Sequence, residues 1–595
     1  MSKYALFLIA TLSFTTNART AEFDVPIGTV IANLEFKDIR YLPRSLTDLG
    51  KPDAYLFVFT RTTCPLVRRY LPRLNKLHSK YGQRVQFVAI NVGPEDTIRD
   101  VASHAIEYEA LFPFVKDMSG GCVRTLGVSR TPEVVILDKN HTLVYRGRVD
   151  DQYRIGGTLP KPRRHDLEEA IKEILAGKKI TVCQTVVDGC KITLPEKEKI
   201  PVGSVTFHRD VAPLMRQHCV TCHRPGTAAP FSLDNYRQVR SQGEMIAEVV
   251  GEGRMPPWFA NPRHGTFQND RSLTEKERDT IVAWVRSGMV EGDPVAEAVR
   301  DTQSSNLPPV GKWTIAKPDV VTRMLFSHNI PADGFVPYRY VALPYVFLRE
   351  TWVEAFEIVP DNRTVVHHAN LAYGTPKIQP GPSTFITGYV PGGQAMDLTH
   401  FHNDVAFRIP ALAVLGLQIH YVTTGKPERC NISVGIRYKR GTVRKQLYFN
   451  LADPHFFQIP PHHPAYPISD SFTLKRDASI LGLFAHMHLR GKDMTFFAHR
   501  PDGTTETLLE IPNFNFDWQI GYEIKPGKKQ LPGGTRIEAI AHYDNSRFNP
   551  YNPDPEETVR YGVQTVDEMM NGYVFFTYDD EDLNLPVDPK TGAVR

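Results

Sequence analysis

Four groups of residues in this 595-residue chain have the types and spacing to do chemistry. Cys219-Val220-Thr221-Cys222-His223 places two thiols two residues apart with an imidazole next to the second. That is the attachment pattern of c-type haem: the thiols add to the porphyrin vinyl groups and His223 becomes the proximal iron ligand. No second ligand pair follows at a spacing that would make the motif half of a zinc site. Met255, in the stiff Arg254-Met255-Pro256-Pro257-Trp258 loop, is the expected distal ligand, with Trp258 able to pack on the porphyrin. His264 and Met215 are weaker choices for that ligand.

The second and third groups are histidine sets. Thirteen of the 21 histidines lie beyond residue 300. His367 and His368 are adjacent, and His420 lies in strand-like Leu417-Gln418-Ile419-His420-Tyr421. His486-Met487-His488 has the two-residue spacing that turns both rings to one face of a strand. Imidazoles alone suit zinc, copper or iron, but a thioether added to them selects Cu(I). The fourth group is Cys64-Pro65, after the apolar run Tyr55–Phe59 and before a helical pattern over Val67–Tyr81. A thiol at a helix start gains thiolate character.

The elements that must position these groups fall into three textures. Residues 22–182 alternate apolar strands (Tyr55–Phe59, Val85–Val92, Val134–Leu137, Thr142–Tyr145) with helices, closing with Leu167–Ala176. Residues 203–298 read as helical, at Phe207–His218, Tyr236–Val250 and Thr274–Ser287. Residues 299–450 and 451–582 read as two all-β sandwich domains of short alternating strands and turns. Between these lie a signal peptide (1–21), a linker (183–202) and a tail (583–595). The signal is Met1-Ser2-Lys3, an apolar run to Phe14 and small residues near Ala18 and Ala21. The mature protein is then periplasmic or secreted, with no transmembrane segment expected. A net charge of +4 implies no nucleic-acid partner. Of the seven cysteines, five remain after the haem takes two, too few for a disulfide-built scaffold.

Three resemblances follow from these residues. Residues 22–182 resemble the thioredoxin-like fold in its redoxin branch, an α/β domain, with Thr131-Pro132 at the position of that family's cis proline. The family's CxxC reads Cys64-Pro65-Leu66-Val67 here, which rules out a dithiol cycle within the motif. Cys183 and Cys190 could form a local disulfide or serve Cys64 as resolving thiols; a degenerate docking module is the other reading. Residues 203–298 resemble a small all-α cytochrome c.

The C-terminal half resembles the copper type II, ascorbate-dependent monooxygenases, which include peptidylglycine and dopamine β-monooxygenases. Their fold is two jelly-roll-like domains with one copper each. The resemblance implies an electron-storing copper on His367, His368 and His420. It implies an oxygen-activating copper on His486, His488 and Met569, with Asn571 and Tyr573 orienting substrate. Phe484 stands where peptide-amidating members have a carboxylate-binding arginine, so a peptide C-terminus is a poor substrate guess. The expectation is an exported monooxygenase that hydroxylates a C–H bond of an unknown small-molecule or peptide-like substrate with O₂. Two copper ions and a haem c fed by a periplasmic donor would supply the electrons. The alternatives are a copper- and haem-binding electron-transfer protein without hydroxylase activity, and a thiol–disulfide oxidoreductase working through Cys64.

Overall fold

The computed structural model describes residues 25–154, 157–159, 161–194, 204–227, 229–294, 313–334, 336–401 and 405–595. The expected signal peptide and His402 lie outside them. The chain divides into two compact units. The first comprises residues 1–36, 51–94 and 117–195. The second comprises residues 37–50, 95–116 and 196–595.

In the first unit Ala54–Thr60 runs parallel to Val85–Asn91 and antiparallel to Glu133–Asp138, which pairs with Leu143–Gly147. Every residue of Ala54–Thr60 is buried, as an apolar run covered on both faces must be. Helix Pro65–Tyr81 starts at Cys64, its N-cap, with Pro65 in the first turn where a missing N–H costs nothing. Helix Asp166–Leu175 presents Leu167, Ala170 and Ile171 to the core. The stretch expected as a linker is structured through residue 194. Within it Cys190–Lys191 pairs with Arg130–Thr131, ahead of Pro132.

In the second unit the helical part opens with consecutive short turns from Phe207 to Cys219, two of them wide π turns. The single helix expected over 236–250 is two, Tyr236–Ser241 and Gly243–Gly251, parted at Gln242. Helix Glu275–Arg286 starts from a Thr274–Glu277 capping box. Phe207, Met215, Ile246 and Trp284 fill the core among these helices.

From residue 320 on, the second unit is mainly antiparallel sheet, in two pairs, with one parallel pairing, Val405–Ile409 on Lys445–Gln446. In the first pair, Val320–Arg323, Ile432–Tyr438, Thr351–Pro360, Val405–Ile409 and Lys445–Gln446 lie side by side. Opposite them stand Arg339–Phe347, Ala413–Tyr421, Val366–Gly374 and Phe385–Tyr389. Phe356, Leu371, Leu417 and Ile436 belong to the apolar cluster that joins these two sheets. In the second pair, Tyr448–Ala452, Met570–Tyr578, Ala478–Met487 and Gly521–Glu523 form one sheet. Tyr466–Thr473, Arg536–Tyr543, Gly491–His499 and Thr505–Ile511 form the other. The expected tail is not free: Leu585–Pro586 pairs with Thr442–Val443, and Trp352 N–H donates to Gly592 O. No helix among the described residues is long and apolar enough to cross a membrane.

Candidate functional sites

In the first unit, Cys64 Sγ lies 3.1 Å from Cys190 Sγ and 3.4 Å from Thr131 O. Strand pairing sets this distance, because Cys190 stands opposite Thr131 in register. Burial alone would raise the Cys64 thiol. The Thr131 side chain, Cys190 and the backbone N–H groups of Val67 and Leu66 outweigh it and hold Cys64 below its usual value. Cys190 is pushed up to about 11, by burial and by its bond to Cys64. Of the two sulfurs, the surroundings favour the thiolate at Cys64 and the thiol at Cys190. Of the two candidate partners, Cys190 is the one brought to Cys64. Thr131-Pro132 is cis, as expected.

The first histidine set sits on neighbouring strands. His368 on Val366–Gly374 stands opposite His420 on Ala413–Tyr421, and a register irregularity beside His368 lets His367 join them. One donor atom from each of the three lies within 4.8 Å of the others. His367 Nε2 donates to Asp517 Oδ1 at 2.9 Å, which leaves the lone pair on Nδ1. That atom faces His368 Nδ1 at 3.0 Å. His420 Nδ1 is buried with no hydrogen-bond partner. Burial and the neighbouring imidazoles hold His368 far below its usual value, and burial first holds His420 at about 4. Neutral imidazoles with converging, unspent lone pairs are the donor set a divalent or monovalent transition metal takes.

The second set lies on Ala478–Met487 and the turn after it. The His486 and His488 rings are 5.1 Å apart. His486 Nδ1 donates to Gln519 Oε1 at 2.5 Å and His488 Nδ1 to Asp567 O at 3.1 Å, which leaves Nε2 on each as the electron-pair donor. Met487 pairs with Met570 in the register, and Met569, the residue before it, is buried. Burial holds His488 at about 3 and lowers His486. Glu568 receives the N–H groups of His488 and Arg490, and fixes the turn that carries His488.

Spacing along the chain does not reveal the segment that joins the two sets. In the turn Asn515–Gln519, Asp517 holds His367 of the first set and Gln519 holds His486 of the second. The Phe516 ring between them stacks on His367 at 5.4 Å and stands 6.3 Å from both His420 and His488. These polar residues in a turn lack any sequence periodicity relative to the histidines, so nothing in the chain alone singles them out. Asn571 and Tyr573, expected to orient substrate, are instead buried in the strand opposite His486 and Phe484. Tyr573 packs among Phe385, Phe449, Phe484 and Phe575. Both lie on the strand face of Phe575, which lines the cavity described below, but neither is itself part of its wall, and the surrounding rings cover Tyr573.

At the CxxCH motif, His223 Nδ1 donates to Phe231 O at 3.2 Å, leaving the lone pair on Nε2. The two cysteines are joined by the turn that carries Cys222 N–H and His223 N–H to Cys219 O. Burial pushes Cys219 up to about 12 and raises Cys222. A Cβ on Gly392 would stand 3.1 Å from Cys222 Sγ, and Gly392 has φ of +74°, so only glycine leaves this side of the motif open. Two thiols and an imidazole presented together in this way are the donor set of a covalently held haem. Met255 is half-buried, its N–H bonded to Val249 O. Trp258 differs from expectation: its indole packs on Phe267 and Tyr522, because this loop lies against the second sheet pair.

A sequence profile for redoxins matches residues 43–160. The chain is 29% identical over 138 residues to thiol-disulfide oxidoreductase ResA of Geobacillus thermodenitrificans, which is 23% of this chain and 78% of that protein. It is 26% identical over 156 residues to ResA of Bacillus thuringiensis subsp. konkukian, covering 26% of this chain and 82% of that one. A solved hypothetical protein from Sinorhizobium meliloti 1021 is 29% identical over 29% of this chain and 96% of its own, with a TM-score of 0.27. The class these define is a thioredoxin-like, redoxin domain within a larger multidomain chain that is otherwise rich in β-sheet.

Proposed function

We propose that the chain is an exported oxidoreductase with a thiol–disulfide centre in its first unit and a haem-linked copper oxygenase in its second. The thiol reading is the one that relatives and geometry support together. The observation that carries it is the 3.1 Å between Cys64 Sγ and Cys190 Sγ. The Cys64 thiolate attacks a substrate disulfide, forming a mixed disulfide and releasing one substrate thiolate. Cys190, deprotonated as it attacks, then displaces the second substrate thiol from Cys64. The substrate gains two electrons and the protein keeps a Cys64–Cys190 disulfide. Peptide mapping of the oxidised full-length protein tests this. A Cys64–Cys190 link is expected, and a Cys183–Cys190 link with Cys64 free would reject it.

The oxygenase reading is supported by the three converging imidazoles of His367, His368 and His420. Bound copper supplies single-electron storage and O₂ activation, and haem c supplies electrons one at a time. The protein's own part is to fix geometry. His367, His368 and His420 would hold one ion, and His486, His488 and Met569 the other. Asp517 and Gln519 fix a ring tautomer in each set, and His223 with Cys219 and Cys222 would hold the haem. Two coppers and one haem per chain, with substrate-dependent O₂ consumption, are expected. Both metals bound without such consumption would favour the electron-transfer alternative, and a chain that takes up no copper would sink both.

A further inference from the structure

One cavity of about 180 Å³ has both histidine sets on its wall, through His368 and His486. A molecule inside it is within reach of both sets, which makes it the place for a substrate if the oxygenase reading holds; the inference here deepens that reading and rests on it. We infer that the cavity takes a small, uncharged, largely apolar molecule with a flat ring or ring-sized hydrocarbon part.

Much of the wall is hydrocarbon. Leu481, Leu483 and Phe484 come from the strand that carries His486, and Phe385 and Phe575 from neighbouring strands. The Phe385 and Phe484 rings are parallel to within 3°, with centroids 6.1 Å apart, and stack on each other at the cavity wall. Phe484 is only half-buried although its strand is central, because its face opens on the cavity. A wall of leucine and phenylalanine side chains rewards an aromatic or alicyclic ligand by apolar burial and ring contacts.

The wall carries three charged side chains besides its histidines, and each is already engaged. Arg271 donates to Gly392 O at 2.8 Å. Asp397 accepts from the Thr399 N–H and hydroxyl, and Glu523 accepts from Gln268. Because each is already paired, the wall's own side chains, apart from any metal, leave no charge to hold an ionised ligand of either sign, and such a ligand would be desolvated against leucine and phenylalanine. A single hydroxyl or carbonyl is accommodated more easily, since Thr387 and Gln394 also line the cavity.

The test titrates the full-length, copper- and haem-loaded protein by calorimetry with three probes that share one ring: benzyl alcohol, benzoate and benzylamine. Copper per chain is measured on the same sample. Benzyl alcohol should saturate one site, with benzoate and benzylamine at least tenfold weaker. Phe484→Arg should weaken benzyl alcohol at least tenfold and strengthen benzoate. Phe484→Leu, a milder change should the first variant misfold, should weaken benzyl alcohol severalfold without favouring benzoate. Equal or tighter binding of either ion, no binding of benzyl alcohol, or binding indifferent to both substitutions would overturn the inference. A protein that holds two coppers yet prefers an ion rejects the inference alone. A protein without copper that binds benzyl alcohol rejects the oxygenase reading and keeps the cavity's preference.

Discussion

Replacing Cys190 by alanine should make Cys64 a weaker acid. Burial works against the Cys64 thiolate, and a short set of hydrogen bonds, one of them from Cys190 at 3.1 Å, reverses that effect. A hydrogen bond to a charged group contributes about 1.5 kcal/mol, the lower end of its range, which suits a sulfur donor. One pKa unit corresponds to about 1.4 kcal/mol, so the Cys64 midpoint should rise by about one unit. At any pH below both midpoints the thiolate fraction then falls about tenfold, while the more basic thiolate is a better nucleophile and recovers about threefold of that. Net alkylation at Cys64 should slow by about threefold. The assay is iodoacetamide modification of the full-length protein across pH, with the Cys64 peptide followed by mass spectrometry. Cys183→Ala serves as the control, because Cys64 bonds to Cys190. A Cys64 midpoint that stays put or falls in Cys190→Ala, or one that moves equally in Cys183→Ala, would refute the reasoning.

Other perturbations separate the remaining parts. Asp517→Ala removes the acceptor that fixes His367, so copper retention against a chelator should weaken by about 10–100-fold at one site only. Gln519→Ala should do the same at the other site, through His486. Gly392→Val should lower the melting temperature and haem incorporation together, since a branched side chain at φ +74° costs about 1–2 kcal/mol and its Cβ meets Cys222 Sγ. His542 is raised above its usual value by Asp493, whose Oδ1 it meets at 2.6 Å, against the opposing effect of burial. The pair's stabilisation is therefore full below the unfolded histidine value of about 6.5 and is lost as pH rises through the higher folded value. Asp493→Asn should bring the His542 midpoint down in an NMR titration and cost more stability at acidic than at alkaline pH.

The local elements and the donor residues were legible in the chain. The apolar run Tyr55–Phe59, the Thr274 capping box and the strand-like surroundings of His420 and His486 all carry short-range signals, because periodicity and capping are properties of neighbouring residues. The CxxCH motif and the HxH pair are likewise local, since one turn or one strand fixes the relation of their side chains. The break at Gln242 was not legible, as the apolar pattern runs through it. Nor was the choice between Cys183 and Cys190 as the partner of Cys64. Both lie in the same short stretch, and only pairing of Cys190 with Thr131 brings one sulfur to the helix start. The same holds for Asp517 and Gln519, whose partners lie 150 and 33 residues away, and for the apolar cavity, whose walls come from strands far apart in the chain. The sequence by itself determined which side chains could donate electron pairs or thiolates. Tertiary structure alone decided which donors meet, what holds their tautomers and what kind of molecule reaches them, because those depend on distances between segments that no local pattern encodes.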